Sequence, residues 1–157
     1  MYTVDSLDEV LNFEGVPGHS PGAPMPQILA NDVSLLLAYE TAPGGEEYAI
    51  VKFIWPRAHY FGSPNDETMR GHPLAERGLM PYGVFEVRNS SWIRALEQMN
   101  RVHPNHNASR FRALRHFVFT FHDNTFECVA NDAVLAAKFP NDETAKKLLG
   151  LMERHLS

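Results

Sequence analysis

Residues 114–130 constrain this chain more than any other stretch. LRHFVFTFHDNTFECVA holds two runs of strand-forming residues around Asp123-Asn124, a pair suited to a two-residue hairpin turn. A turn there sets His122 opposite Thr125, Phe121 opposite Phe126, Thr120 opposite Glu127 and Phe119 opposite Cys128. Side chains alternate along a strand. One face then carries Phe117, Phe119, Phe121, Phe126, Cys128 and Ala130, all apolar. The other carries His116, Val118, Thr120, His122, Thr125, Glu127 and Val129. Both strands sort the same way under one register, so the phenylalanine row is expected at the centre of a core.

Further strands are expected at 32–41 (DVSLLLAYET), 47–55 (EYAIVKFIW) and 82–88 (YGVFEVR). Leu35-Leu36-Leu37 implies burial on both faces, and Pro43-Gly44-Gly45 is turn chemistry. Ser6-Leu7-Asp8-Glu9 reads as a capping box opening a short helix, about 7–13. Residues 15–26 hold four prolines and three glycines and predict a loop or arm. Ser90 and Ser91 are N-cap candidates for a helix over 92–102, with Trp92, Leu96 and Met99 on its apolar stripe. Asn141 or Asp142 would cap a C-terminal helix with Ala145, Leu148, Leu149, Met152 and Leu156 buried. The order ββ-loop-βαββα predicts an α+β fold: an antiparallel sheet of about five strands with helices packed on it, in one domain over 1–157, its first 26 residues a short helix plus arm.

Charge is unevenly distributed. The net charge is -5, yet residues 1–56 hold eight acids and one base, whereas 57–115 hold nine arginines and five acids. Gln98 to His122 has no acid at all and carries Arg101, Arg110, Arg112 and Arg115. An Arg/His-rich surface of this kind suits a carboxylate or phosphate, because guanidinium forks bind such groups bidentately. The ligand-binding candidates are these four arginines with His116, Arg70 and His72. The acidic N-terminal segment packing on the basic one would cancel the patch. The overall acidic balance (pI ≈ 5.9) speaks against a nucleic-acid surface.

No apolar run is long enough to span a bilayer, and residues 1–14 lack the positive start of a secretory signal. With one cysteine, Cys128, no internal disulfide can form, and a cytoplasmic protein is expected. Cys128 falls on the core face, where a thiol behaves as an inert hydrophobe.

Three places hold candidate chemistry. His122 and Glu127 are diagonal neighbours on the polar face of the hairpin, an acid/base pair with Thr120 beside them. The same face also suits plain solvation, which Val118 and Val129 oppose. His103-Pro104-Asn105-His106 has His-x-x-His spacing, but Pro104 breaks helical presentation and no third ligand is evident, so no metal or cofactor is expected. Phe61 to Leu74 concentrates Asp66, Glu67, Arg70 and His72 in a long segment that suits a lid over a site, or the N-terminal ends of helical turns. The leading expectation is a binding module for an anionic small molecule or an acidic protein, its oligomeric state open. The alternative is a small cofactor-independent hydrolase or isomerase using His122 with Glu127.

Overall fold

A computed structural model describes residues 2–44, 46–141, 143, 146–148, 150, 151 and 154. Among them are nine strands in chain order: β1 (Glu9–Asn12), β2 (Gln27–Ala30), β3 (Ser34–Glu40), β4 (Glu47–Ile54), β5 (Ala58–Gly62), β6 (Gly83–Arg88), β7 (Arg115–Thr120), β8 (Thr125–Ala130) and β9 (Asp132–Pro140). Helices α1 (Ser91–Asn100) and α2 (Ala108–Arg112) lie between β6 and β7. The strands form two antiparallel sheets, ordered β1-β6-β7-β8-β5 and β2-β3-β4-β9. The α+β class and antiparallel pairing are as expected; a second sheet was not.

The sheets stack through the phenylalanine row. Phe117, Phe119, Phe121 and Phe126 are fully buried against Leu35, Leu37, Tyr39, Val51 and Phe53 of the other sheet. The outer face of the five-stranded sheet is also covered. Tyr2, Met69, Leu74 and Leu79 pack there on Phe85, Val87 and Val118. Behind the four-stranded sheet, Leu148 packs with Leu36, Ala38, Ile50 and Phe139. Residues 146–148, 150, 151 and 154 are helical. The rest of the expected C-terminal stripe (Ala145, Leu149, Met152 and Leu156) and the Asp142 cap lie outside the described residues, as does Gly45 of the β3–β4 turn.

The hairpin pairs in a different register from the expected one. Thr120 opposes Thr125, Phe119 opposes Phe126 and Val118 opposes Glu127. Phe121 N–H donates to Asn124 O at 2.9 Å, so the chain turns at His122-Asp123, one residue early. Each pairing moves by two residues, one full period of the pleat, so both faces keep their expected members.

The N-terminal helix over 7–13 is absent. A turn at Ser6-Leu7 leads into β1, which pairs with β6 from Glu9 opposite Arg88 to Asn12 opposite Phe85. Asp8 serves a distant helix instead: Ser91 N–H donates to Asp8 Oδ1 at 2.7 Å. The capping-box reading saw only local partners, and non-local ones won. The Pro/Gly-rich arm runs along the end of β3, where Ser20 N–H donates to Glu40 O and Tyr39 Oη to Pro17 O. No helix among the described residues is long and apolar enough to cross a membrane.

Candidate functional site

Glu127 lies at the centre of a buried polar cluster on the outer face of the five-stranded sheet. β8 presents it away from the phenylalanines, under the 63–82 segment. His72 Nε2 lies 2.8 Å from Oε1, His116 Nε2 lies 2.8 Å from Oε2, and Tyr2 Oη–H donates to Oε2 at 2.5 Å. The side chains of Glu127, His72 and His116 are 0% exposed. Leu74 N–H donates to His72 Nδ1 at 3.1 Å, which puts the ring proton on Nε2, facing the carboxylate. His116 Nδ1 lies 2.9 Å from Ser90 Oγ. Burial by itself would push the Glu127 carboxyl up. Hydrogen bonds from His116 and His72 outweigh it and hold the pKa down at about 2. Burial, then the charge of Glu127, drives the Tyr2 phenol far above its ordinary value, so it remains a donor.

His122 is not a member of this cluster. Because the chain turns at His122-Asp123, its ring is half-exposed at the hairpin tip, with Nδ1 3.6 Å from Asp66 and 3.4 Å from Asp123. The diagonal histidine beside Glu127 is His116, since Glu127 opposes Val118 and His116 lies two residues along. Thr120 does not join the network either. Its hydroxyl donates to Met80 O at 2.7 Å, and Thr125 donates to Pro64 O at 2.9 Å, which ties the 63–82 segment over the sheet. The face is therefore covered, as its valines implied, but the acid/base partner is a different histidine.

The arginines gather beside α1 and α2. A groove of about 810 Å³ is lined by Arg88, Arg94, Arg101, Arg112 and Arg115, with Glu86 and Glu97 the carboxylates among them. Val87, Ile93, Phe111 and Leu114 supply apolar lining, and Ser90 lies in the wall. Arg94 is held by Asp5 at 2.6 Å, Arg101 by Glu97 at 2.8 Å, and Arg115 by Glu86 at 2.7 Å and Asp132 at 2.6 Å. These guanidinium contacts hold the Glu86 and Glu97 carboxyls below their ordinary range. Arg88 and Arg112 form no ion pair with any described residue. Among the described residues, the acidic N-terminal segment forms ion pairs with this patch at Arg94 alone.

The other candidates lie elsewhere. Arg110 lines a smaller cleft of about 330 Å³ that shares Phe111 and Leu114 with the groove. Arg70 is exposed on a 3-10 turn over Met69–Gly71, away from the groove. His72 and His116 are buried in the Glu127 cluster, and His116 meets the groove wall only through Ser90 Oγ. His106 contacts Glu97 and Asn100 at 2.8 and 2.9 Å, and His103 Nδ1 accepts the Asn105 amide at 3.0 Å. No group of three His, Cys, Asp or Glu side chains among the described residues could hold a metal ion.

Tyr2, Arg88 and Arg94 were missed in the sequence. Nothing local marks Tyr2, whose partner is 125 residues away. Arg88 and Arg94 carried a signal in their density, but they lie outside the acid-free 98–122 stretch. Comparison of the chain with family models, curated proteins and solved structures yields no match. A buried polar cluster and a basic groove meet at Ser90.

Proposed function

We propose that this chain binds an anionic small molecule in the groove between α1, α2 and the ends of β6 and β7. The observation that supports it is the pair Arg88 and Arg112: two exposed guanidinium groups that form no close ion pair among the described residues, Arg88 meeting Glu86 only at longer range, beside an apolar lining. A few charged groups converging on an apolar concavity make a ligand site, and bidentate forks favour carboxylate or phosphate. The ligand is accordingly an anion with an apolar body. An acidic protein surface offers the same carboxylates and is the competing occupant. The net charge of -5 disfavours nucleic acid. A single, buried cysteine fits a cytoplasmic setting.

Calorimetric titration of the protein with phenylacetate and phenyl phosphate, against uncharged benzyl alcohol, tests the reading. Both anions should bind at low salt and the alcohol should not. Arg88→Glu and Arg112→Glu should each weaken anion binding at least tenfold. Equal affinities in wild type and both variants would overturn the proposal.

A further inference from the structure

The buried cluster and the groove are joined by one hydroxyl. Ser90 Oγ lies 2.9 Å from His116 Nδ1, and His116 Nε2 lies 2.8 Å from Glu127 Oε2. This is a serine–imidazole–carboxylate relay, the connectivity that activates a serine nucleophile, and such relays are recognised by geometry rather than sequence order. Backbone placement points the same way. β6 ends at Arg88, Asn89 takes a left-handed conformation (φ 52°), Ser90 follows, and α1 begins at Ser91. A serine on a sharp strand-to-helix turn is the placement of an activated nucleophile, here with the adjacent Ser91 N–H held by Asp8. Ile93 N–H already donates to Ser90 Oγ at 3.3 Å. Ser90 itself, 2% exposed, lies in the wall of the basic groove, two residues from Arg88.

We infer that Ser90 is a nucleophile for acyl transfer, with His116 as its base and Glu127 as the positioning residue, acting on an ester whose acid part carries an anionic group held in the groove. The choice of an anionic ester rests on the groove reading; the assignment of the nucleophile does not. Ser90 Oγ bonds to the ester carbonyl carbon as its proton passes to His116 Nδ1. The carbon–alkoxide bond breaks, and that proton leaves with the alcohol. Water then adds to the acyl-Ser90 carbonyl, giving its proton to His116, and the acid departs as Ser90 recovers the proton. Glu127 stays ionised throughout and keeps the Nε2 proton of His116 in place, leaving Nδ1 to face Ser90.

Ser90 is also the N-cap of α1, so a purely structural role competes with this one. A fluorophosphonate probe separates them, because attack by an activated serine expels fluoride and leaves a covalent phosphonate. Wild-type protein incubated with the probe, digested and read by mass spectrometry should carry one adduct, on Ser90. That mapping needs no variant to fold. Labelling should vanish in Ser90→Ala and slow at least tenfold in His116→Gln. In parallel, mono-4-nitrophenyl glutarate should be cleaved at least tenfold faster than neutral 4-nitrophenyl butyrate, and Arg88→Ala should erase that preference. An unlabelled Ser90 in folded wild type, or ester cleavage unchanged in Ser90→Ala, would overturn the nucleophile. Labelled Ser90 with equal turnover of both esters would keep the nucleophile and reject the anionic groove.

Discussion

Phe119 and Glu127 mark the two kinds of buried residue in this protein. Phe119 is fully buried between the sheets, against Tyr39, Phe53 and Phe126. Phe119→Ala should cost about 3–5 kcal/mol in urea unfolding, the usual loss for a truncated core phenylalanine. Glu127 is buried as an ion, tolerable only because three donors meet it. Its carboxyl falls from an ordinary 4.5 to about 2 in the folded chain. A depressed carboxyl stabilises the fold above its unfolded pKa and loses that contribution as pH falls towards the folded value. Stability should therefore drop between about pH 4.5 and pH 2. Glu127→Gln should be less stable at neutral pH and flatter across that window. Parallel pH profiles for the two proteins would mean that the donors do not favour the ionised form.

At the scale of elements, α1 is held at its start by two side chains from different parts of the chain. Ser90 caps Ile93, and Asp8 accepts the Ser91 amide while also facing Arg94 at 3.6 Å. Carboxylates are favoured at a helix N-terminus by the peptide dipoles. Asp8→Ala removes a buried acceptor from two amides, those of Ser91 and Asp5, and should cost about 1–3 kcal/mol. Amide exchange at Ser91 should quicken in that variant, whereas exchange at Phe119 should follow only global unfolding. The hairpin teaches a complementary lesson. Its faces were legible because pleat alternation survives a two-residue change of pairing. Its turn was not, because Asp123-Asn124 and His122-Asp123 differ only in how the tip meets its surroundings. Asp66 N–H, from the overlying segment, donates to His122 O at 2.9 Å, and Tyr82 of the same segment bonds the Asp66 carboxylate. That one-residue difference removed His122 from Glu127 and put His116 there.

Across the whole molecule, the two sheets share one core of aromatic contacts, with Phe53 of the four-stranded sheet touching Phe117, Phe119 and Phe126 of the other. Neither sheet can bury its inner face alone. Unfolding should therefore be a single cooperative transition, with far-ultraviolet ellipticity and tryptophan fluorescence giving one midpoint in urea. Separate midpoints would show that the sheets are independent units. The charge asymmetry also resolves at this scale. Among the described residues, the ion pairs of the acid-rich N-terminal segment with the groove arginines fall on Arg94, through Asp5 and Asp8, and Arg88, Arg112 and Arg115 line the groove.

The amino-acid sequence by itself determined the strands with strong alternation, the apolar and polar faces of the hairpin, the burial of β3 on both sides and the start of α1. Each depends on a period or a cap that operates within a few residues. Tertiary structure decided the rest. β1, β2 and β5 are four or five residues long, and the alanines of β9 carry weak strand preference, so these became strands only by pairing with distant partners. The polar cluster unites Tyr2, His72, Ser90, His116 and Glu127 from five separated positions. Only His116 and Glu127 are linked by a local pattern, the alternation of the hairpin. What assembles them is the need of each buried polar group for a partner, which is satisfied only once the 63–82 segment and the N-terminus close over the sheet.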